Sequence, residues 1–416
     1  FALFGWLYIK LKVSLNNKSS FWLLPAIWVI GEFVRSVVFS ICSLGEGGTV
    51  GMHWNFGALG LGVATTPMIF ASRIVGLFGL SFIVVLINLA IFQLIRRKFM
   101  LYSVVIIAFC IVLSALGYLA YKGGSYAKSQ KLGVVHLGPL EDTDYESALL
   151  EKVKAKNDKV DLVVFPEYSN LFQEDRLKSI DQELVGGILR GPEGRIITTR
   201  SISENSNETN AIVLLSPGNE EISRQGKTFL IPGGEYIPYI YKGLLIASGN
   251  PEMIIHHEGQ NTVYQSKTPI KPLDIGGVKY GVLACSGIIA PEFYRGLVLD
   301  GSDVLVNTAK LSTMGREFFG QAYQMSRFQA VANTRMLVQS ARGRDSFIMD
   351  NNGNILTQNV SENTDYLVGS VKPNKTKTIY TILGEWVVWL SIVLIVIYGY
   401  ANKKKLGLGL KNKKSN

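Results

Sequence analysis

Three residues in the polar half of this chain have side chains that could do covalent chemistry together. Cys285 ends Val278-Lys-Tyr-Gly-Val-Leu-Ala-Cys285-Ser286-Gly287, where an apolar run stops at a thiol. Glu167 ends a similar run, Asp161-Leu-Val-Val-Phe-Pro-Glu167, and Lys227 opens a third, Lys227-Thr-Phe-Leu-Ile-Pro-Gly-Gly-Glu235. A lone free cysteine is usually an inert, small core residue. Its thiol, with an ordinary pKa of about 8.5, needs help to become a thiolate. A thiol, a carboxylate and an ammonium that meet would supply a nucleophile, its base and an electrostatic partner. Histidine is the usual partner of a reactive cysteine, but none here follows a comparable strand, so a carboxylate and a lysine would replace it. Glu235 either joins this group or only braces the Gly233-Gly234 turn.

The elements that must position these groups are short apolar runs alternating with helical patterns. The strands expected are Leu132–Leu137, Asp161–Phe165, Ala211–Leu215, Thr228–Ile231, Tyr280–Ala284, Asp303–Asn307, Met336–Ser340 and Ser346–Asp350. Tyr145–Asn157, Phe293–Leu299 and Glu317–Ala332 have helical periodicity. Near-continuous apolar strands separated by helices imply a sheet covered on both faces, an α/β layered architecture. Asn351-Asn-Gly353 reads as a hairpin turn after Ser346–Asp350. Sites in such folds gather beyond the carboxyl ends of strands, where Glu167 and Cys285 fall.

At 48% hydrophobic and 18% charged, the 416 residues are too apolar for a soluble protein. Four runs are long enough to cross a bilayer: Phe21–Cys42, Ile69–Ile95, Phe99–Tyr118 and Ile382–Tyr400. The +10 formal charge sits beside these runs and not among aromatics on a polar surface, which points to a membrane and not to nucleic acid. Lys10, Lys12 and Lys18, Arg96-Arg97-Lys98 and Lys403-Lys404-Lys405 all become cytoplasmic in a single orientation. The polar region and the loop from Leu44 to Pro67 then lie outside. Glu32 and Arg35, at i, i+3 inside the first span, are either functional or a self-neutralising pair. Cys42 and Cys110 fall in apolar runs, which excludes a disulfide framework, and the four histidines have no metal-ligand spacing with cysteine. No metal and no cofactor is expected. The chain starts at Phe1 inside an apolar stretch, so earlier spans are expected to precede it.

Phe165-Pro-Glu167, Lys227 with Pro-Gly-Gly-Glu235, and Cys285 together resemble the Glu–Lys–Cys signature of the nitrilase, or carbon–nitrogen hydrolase, superfamily. Pro25-Ala-Ile-Trp28-Val-Ile-Gly-Glu32-Phe-Val-Arg35 is similar to the Trp…Glu…Arg segment of bacterial apolipoprotein N-acyltransferases, as are Gly76-Leu-Phe-Gly-Leu-Ser-Phe82 and the last span. The resemblance implies an αββα sandwich inserted between an N-terminal transmembrane bundle and a C-terminal transmembrane helix. The expected divisions are a transmembrane region 1–122, a nitrilase-like extracytoplasmic domain 126–375, a span 380–401 and a basic cytoplasmic tail 402–416. It implies Cys285 as nucleophile, Glu167 as general base, Lys227 as oxyanion stabiliser and Glu235 as support. Trp54 and Tyr168 are candidate lipid contacts, although an aromatic such as Trp54 is more often an anchor at the membrane interface. The implied activity is acyl transfer in the bacterial inner membrane, from a phospholipid donor through a cysteine thioester to the amine of a diacylglyceryl-lipoprotein.

The chain departs from the family pattern at Ser286-Gly287, where Tyr-Glu is usual, at Ala332, where glutamate is usual, and at His136-Leu137, where Gln-Asn is usual. Two alternatives follow: a membrane-tethered nitrilase-type amidase, or a catalytically impaired scaffold of the same fold. The apolar bundle argues against the first, since a small-amide hydrolase does not need it, and the intact triad against the second.

Overall fold

The computed structural model describes residues 2–11, 13–121, 129–138, 145–169, 171–172, 179–204, 207–261, 265–266, 269–312 and 315–402. The expected Lys12 flank and the Lys403-Lys404-Lys405 tail lie outside them. A short helix α1 (Ala2–Lys10) precedes α2 (Ser20–Cys42), α3 (Ser72–Ile95) and α4 (Met100–Leu119). With Pro67–Ala71 running into α3, three helices among the described residues are long and apolar enough to cross a membrane. Leu101 and Leu119 on the outside of α4 are exposed, an apolar surface of the kind lipid covers.

The polar region then forms β1 (Gln130–His136), α5 (Tyr145–Lys156), β2 (Leu162–Val164), α6 (Ser179–Ile188), β3 (Arg195–Glu204), β4 (Asn207–Leu215) and β5 (Glu221–Gly226). Helices α7 (Tyr239–Ala247) and α8 (Glu252–Asn261) lead to β6 (Leu273–Ile275), β7 (Val278–Ala284), α9 (Pro291–Leu299), β8 (Val304–Lys310), α10 (Arg316–Ala332) and β9 (Met336–Arg342). The chain closes with β10 (Ser346–Met349), β11 (Ile355–Asn359), β12 (Asp365–Val371), α11 (Ile379–Leu383) and α12 (Trp386–Ala401).

The strands make two sheets, ordered β12-β1-β2-β3-β4-β5 and β11-β10-β9-β8-β7-β6. In each, three central strands run parallel and the flanking ones antiparallel. Leu132, Val134, Val164, Val282, Val306 and Val338 fill the space between the sheets. Helices α5 and α6 cover one outer face and α9 and α10 the other, giving the αββα sandwich. Because the β2 and β7 ends both open at one edge, Glu167 and Cys285 come from opposite sheets to the same place.

Several sequence expectations need correcting. Thr228–Ile231 is loop, and Lys227 instead follows β5, EISRQG, the edge strand of its sheet, half-buried and exposed by turns until Gln225 and Gly226 go under. Its polar side chains hide it from a search for apolar runs. Likewise β3, β6 and β12, and helices α6 to α8, carry no pattern that the sequence makes plain. The fourth expected span is divided. Helix α11 ends at Leu383, Gly384 takes φ +64°, and α12 has 16 residues. That length is about 24 Å, short of a hydrocarbon core of about 30 Å. Within the first span, Glu32 does not neutralise Arg35: its Oε1 accepts from Trp28 Nε1 at 2.9 Å and from the Leu59 amide at 2.7 Å.

The sandwich is fixed to the bundle through α10. Met325, Phe328, Val331 and Ala332 belong to the same buried cluster as Phe21, Ile27, Leu77 and Phe78 of the bundle. Arg73, fully buried at the start of α3, donates to Val331 O (3.1 Å), Gly117 O (3.1 Å), Asn351 O (2.7 Å) and Asn352 Oδ1 (2.9 Å). Ala332, one of the departures, thus sits in apolar packing, and its carbonyl accepts from Thr378 Oγ1 at 2.7 Å.

Candidate active site

Pro166 lacks an amide hydrogen and ends the β2 run. The chain turns there with Tyr168 at φ +55°, held by Tyr168 N donating to Thr199 Oγ1 (3.0 Å) and by the Ser169–Thr198 hydroxyl pair (3.1 Å). Cys285 leaves β7 with φ +42° and starts the 3-10 turn Cys285–Ile289. A left-handed conformation in a side-chain-bearing residue is strained and persists only where its surroundings enforce it. Asn307 Nδ2 donates to Cys285 O (3.2 Å) and Ser286 Oγ to Phe229 O (2.6 Å), which fix the turn on both sides. Ser286, the second departure, therefore ties the nucleophile turn to the loop after Lys227. Gly287 has no room for a Cβ, which would lie 2.5 Å from Leu283.

Glu167, Lys227 and Cys285 are buried, at 1%, 4% and 6% exposure. Lys227 Nζ lies 3.0 Å from Glu167 Oε1 and 2.7 Å from Glu235 Oε1. Asn210 Nδ2 donates to Glu167 Oε1 (2.7 Å) and the Lys310 amide to Glu167 Oε2 (3.3 Å). The Cys285 thiol donates to Lys310 O at 3.7 Å. Glu235 has two tasks, since its Oε2 also accepts from the Ile231 amide at 2.9 Å and closes the Gly233-Gly234 turn.

Burial disfavours the Lys227 charge, but Glu167 and Glu235 outweigh it and hold the ammonium well above the ordinary lysine range. Burial pushes the Cys285 thiol up, the Glu167 charge adds to this, and Lys227 offsets part of it. The resting sulfur is therefore a thiol beside a carboxylate. Its proton leaves when an electrophile arrives and a base is in reach.

Trp54 is half-buried between Phe39 of α2 and Phe229, at ring distances of 5.0 and 5.1 Å. It braces the loop that carries Lys227, a tighter packing than an interface anchor needs. The same loop is held by Tyr236 Oη on Ser43 O and the Tyr239 amide on Leu44 O, each at 2.7 Å. Tyr168 is 36% exposed beside the triad, with Lys310 Nζ 5.5 Å from its ring centre. Burial and the Glu167 charge raise its hydroxyl pKa. His136 is away from this group, bonded to Ser346 Oγ (3.0 Å) and Ser361 O (2.9 Å), and burial lowers its pKa. His256 and His257 lie on α8, outside the site. Among the described residues no cluster could hold a metal ion.

Asn210, Asn307 and Lys310 join the site without any motif that announces them. An asparagine directly before the apolar run Ala211–Leu215 is the one available signal in the sequence.

Residues 131–380 match the family model described as Carbon-nitrogen hydrolase, and residues 1–90 that described as Apolipoprotein N-acyltransferase N-terminal domain. An apolipoprotein N-acyltransferase of Geobacter metallireducens is 25% identical over 88% of this chain and 71% of its own. That of Rickettsia bellii is 24% identical over 94% and 78%, and that of Aquifex aeolicus 25% over 85% and 76%. Among solved structures, a carbon–nitrogen hydrolase from Helicobacter pylori aligns with a TM-score of 0.43 at 15% identity, covering 69% of this chain and 99% of that one. A Nesterenkonia amidase aligns at 0.41 and 14%, covering 61% and 95%. The chain belongs to the carbon–nitrogen hydrolase superfamily and, within it, to the apolipoprotein N-acyltransferase family.

Proposed function

We propose that this membrane N-acyltransferase moves a fatty acyl chain from a phospholipid, through a thioester on Cys285, to the N-terminal amine of a diacylglyceryl-lipoprotein. Glu167 takes the Cys285 proton as sulfur bonds to the ester carbonyl carbon. Lys227 stabilises the oxyanion, worth about 3–4 kcal/mol for one well-placed donor. The carbon–oxygen bond then breaks, the Glu167 proton goes to the leaving alkoxide, and lysophospholipid departs. The acceptor amine attacks the thioester, gives a proton to Glu167, and sulfur leaves to recover that proton as thiol. Splitting the exchange in two lets one site serve two lipids in turn.

The observation that carries this reading is the buried contact of Glu167 with Lys227 at the strand ends, beside a strained Cys285. We further propose that residues 126–375 form the catalytic domain, outside the cytoplasm between the transmembrane region 1–122 and the apolar segment 380–401, with Trp54 and Tyr168 near the entering lipid. The apolar helices support a membrane site, because neither substrate crosses water readily. Purified protein given acyl-labelled phospholipid and a diacylglyceryl-cysteinyl peptide should label the peptide amine. Full labelling by Cys285→Ala would refute the reading.

A further inference from the structure

Arg342, the last residue of β9, is 1% exposed. Among the described residues its buried Nε and Nη2 meet no hydrogen-bond partner, and the guanidinium lies 5.3 Å from the Tyr145 ring centre. Two other almost fully buried guanidinium groups are treated differently. Arg73 is bonded to three carbonyls and an amide oxygen, and Arg335 donates to Ser302 O (2.7 Å) and Thr376 O (2.6 Å). An uncompensated buried charge costs several kcal/mol, so Arg342, with two such nitrogens, calls for an anion.

Its place says which one. Arg342 pairs in register with Lys310, and its carbonyl accepts from the Leu311 amide at 3.0 Å. Lys310 in turn touches Glu167 through its amide and Cys285 through its carbonyl. Neighbouring strands are about 4.8 Å apart, so the Arg342 and Cys285 backbones, two strands apart, are separated by about 10 Å. Arg344, whose buried Nε also meets no partner among the described residues, lies 4.7 Å over Phe319, which packs against the cluster of Cys285, Ala309 and Leu311. Positive charge thus gathers at the β8 and β9 ends, beside a thiol that is to meet an acyl ester.

We propose that Arg342, flanked by Arg344, is the subsite for the phosphodiester of the acyl donor, an inference that rests on the function proposed above. In a glycerophospholipid the ester and the phosphate are separated only by the glycerol backbone. An ester carbonyl at Cys285 therefore brings the phosphate toward the β9 end. A guanidinium fork suits two phosphate oxygens at once, which a lysine does not.

The test compares two donors with the same ester bonds, phosphatidylglycerol and diacylglycerol, in acylation of Cys285 followed by intact mass. Arg342→Gln should slow acylation by the phospholipid about tenfold to a hundredfold, as for a lost charged hydrogen bond, and by diacylglycerol less than about threefold. Arg342→Lys should lie between. Equal slowing with both donors, or none with either, would overturn the proposal. Binding is read separately, as protection of the full chain against thermal unfolding. A soluble glycerophosphodiester should protect the wild type and not Arg342→Gln or Arg342→Lys. Protection by inorganic phosphate alone would overturn the lipid assignment. Protection through Arg342 with no acylation from any donor would uphold the subsite and overturn the acyl-transfer reading instead.

Discussion

Lys227 and Arg73 are both buried cations, one at the reactive thiol and one where the helical bundle meets the sandwich. Lys227 lies between two carboxylates. Arg73 touches backbone carbonyls and one asparagine from three separated stretches of chain. The first arrangement fixes a charge where negative charge must develop. The second uses the spread of guanidinium donors to join segments, and leaves the active site's charge balance unchanged. A buried cation next to acids at strand ends is thus a mark of chemistry, and one among carbonyls a mark of assembly.

The largest effect expected is from Cys285→Ala, which should abolish acyl-enzyme and acyl transfer together. Glu167→Gln keeps the shape but removes the base, and should slow acylation about a hundredfold to ten-thousandfold in single-turnover assays. Lys227→Met leaves Glu167 and Glu235 buried without their cation, so it should lose about 3–5 kcal/mol of stability as well as acylation rate. Arg73→Met should lower unfolding stability by about 2–4 kcal/mol through the orphaned carbonyls. The molecules that remain folded should acylate Cys285 at an almost unchanged rate. If Arg73→Met stops acylation in folded protein, the contrast between the two cations fails.

Acid–base behaviour sharpens the same contrast. Burial and Glu167 raise the folded Cys285 pKa above its ordinary value, so the folded protein holds less thiolate at about pH 8 than a free cysteine does. Iodoacetamide should alkylate Cys285 more slowly than the free amino acid, because less of the buried thiol is ionised. The alkylation should accelerate as pH climbs above about 9, where more of the thiol ionises. Lys227→Met should slow it further, since Lys227 favours the thiolate, whereas Arg73→Met should not change it. The smallest effect belongs to Ser286→Ala, which loses one hydrogen bond to Phe229, about 1 kcal/mol, and should reduce turnover several-fold at most.

Much of this is legible in the sequence because buried parallel strands write themselves as apolar runs and reactive groups follow their ends. Glu167 and Cys285 are positioned in that way. Lys227 stands out as a candidate, but the strand that carries it does not, because β5 is an edge strand of mostly polar residues. Asn210 and Asn307 border the apolar runs Ala211–Leu215 and Asp303–Asn307, but their partners, Glu167 beyond β2 and Cys285 beyond β7, are distant in sequence and not legible there. Trp54 reads as a residue of the lipid interface, and only the fold brings it to Phe229. The break at Gly384 escapes a hydropathy average over Ile382–Tyr400, although Gly384-Glu385 near its start is the kind of pair that ends a helix.

The intact mass of the purified protein after incubation with a single defined phospholipid, without acceptor, gives the most direct answer. A gain of one acyl group, located to Cys285 by peptide mapping and released by neutral hydroxylamine, is the predicted result. An unmodified Cys285 in folded protein that still transfers acyl chains to the acceptor would contradict it.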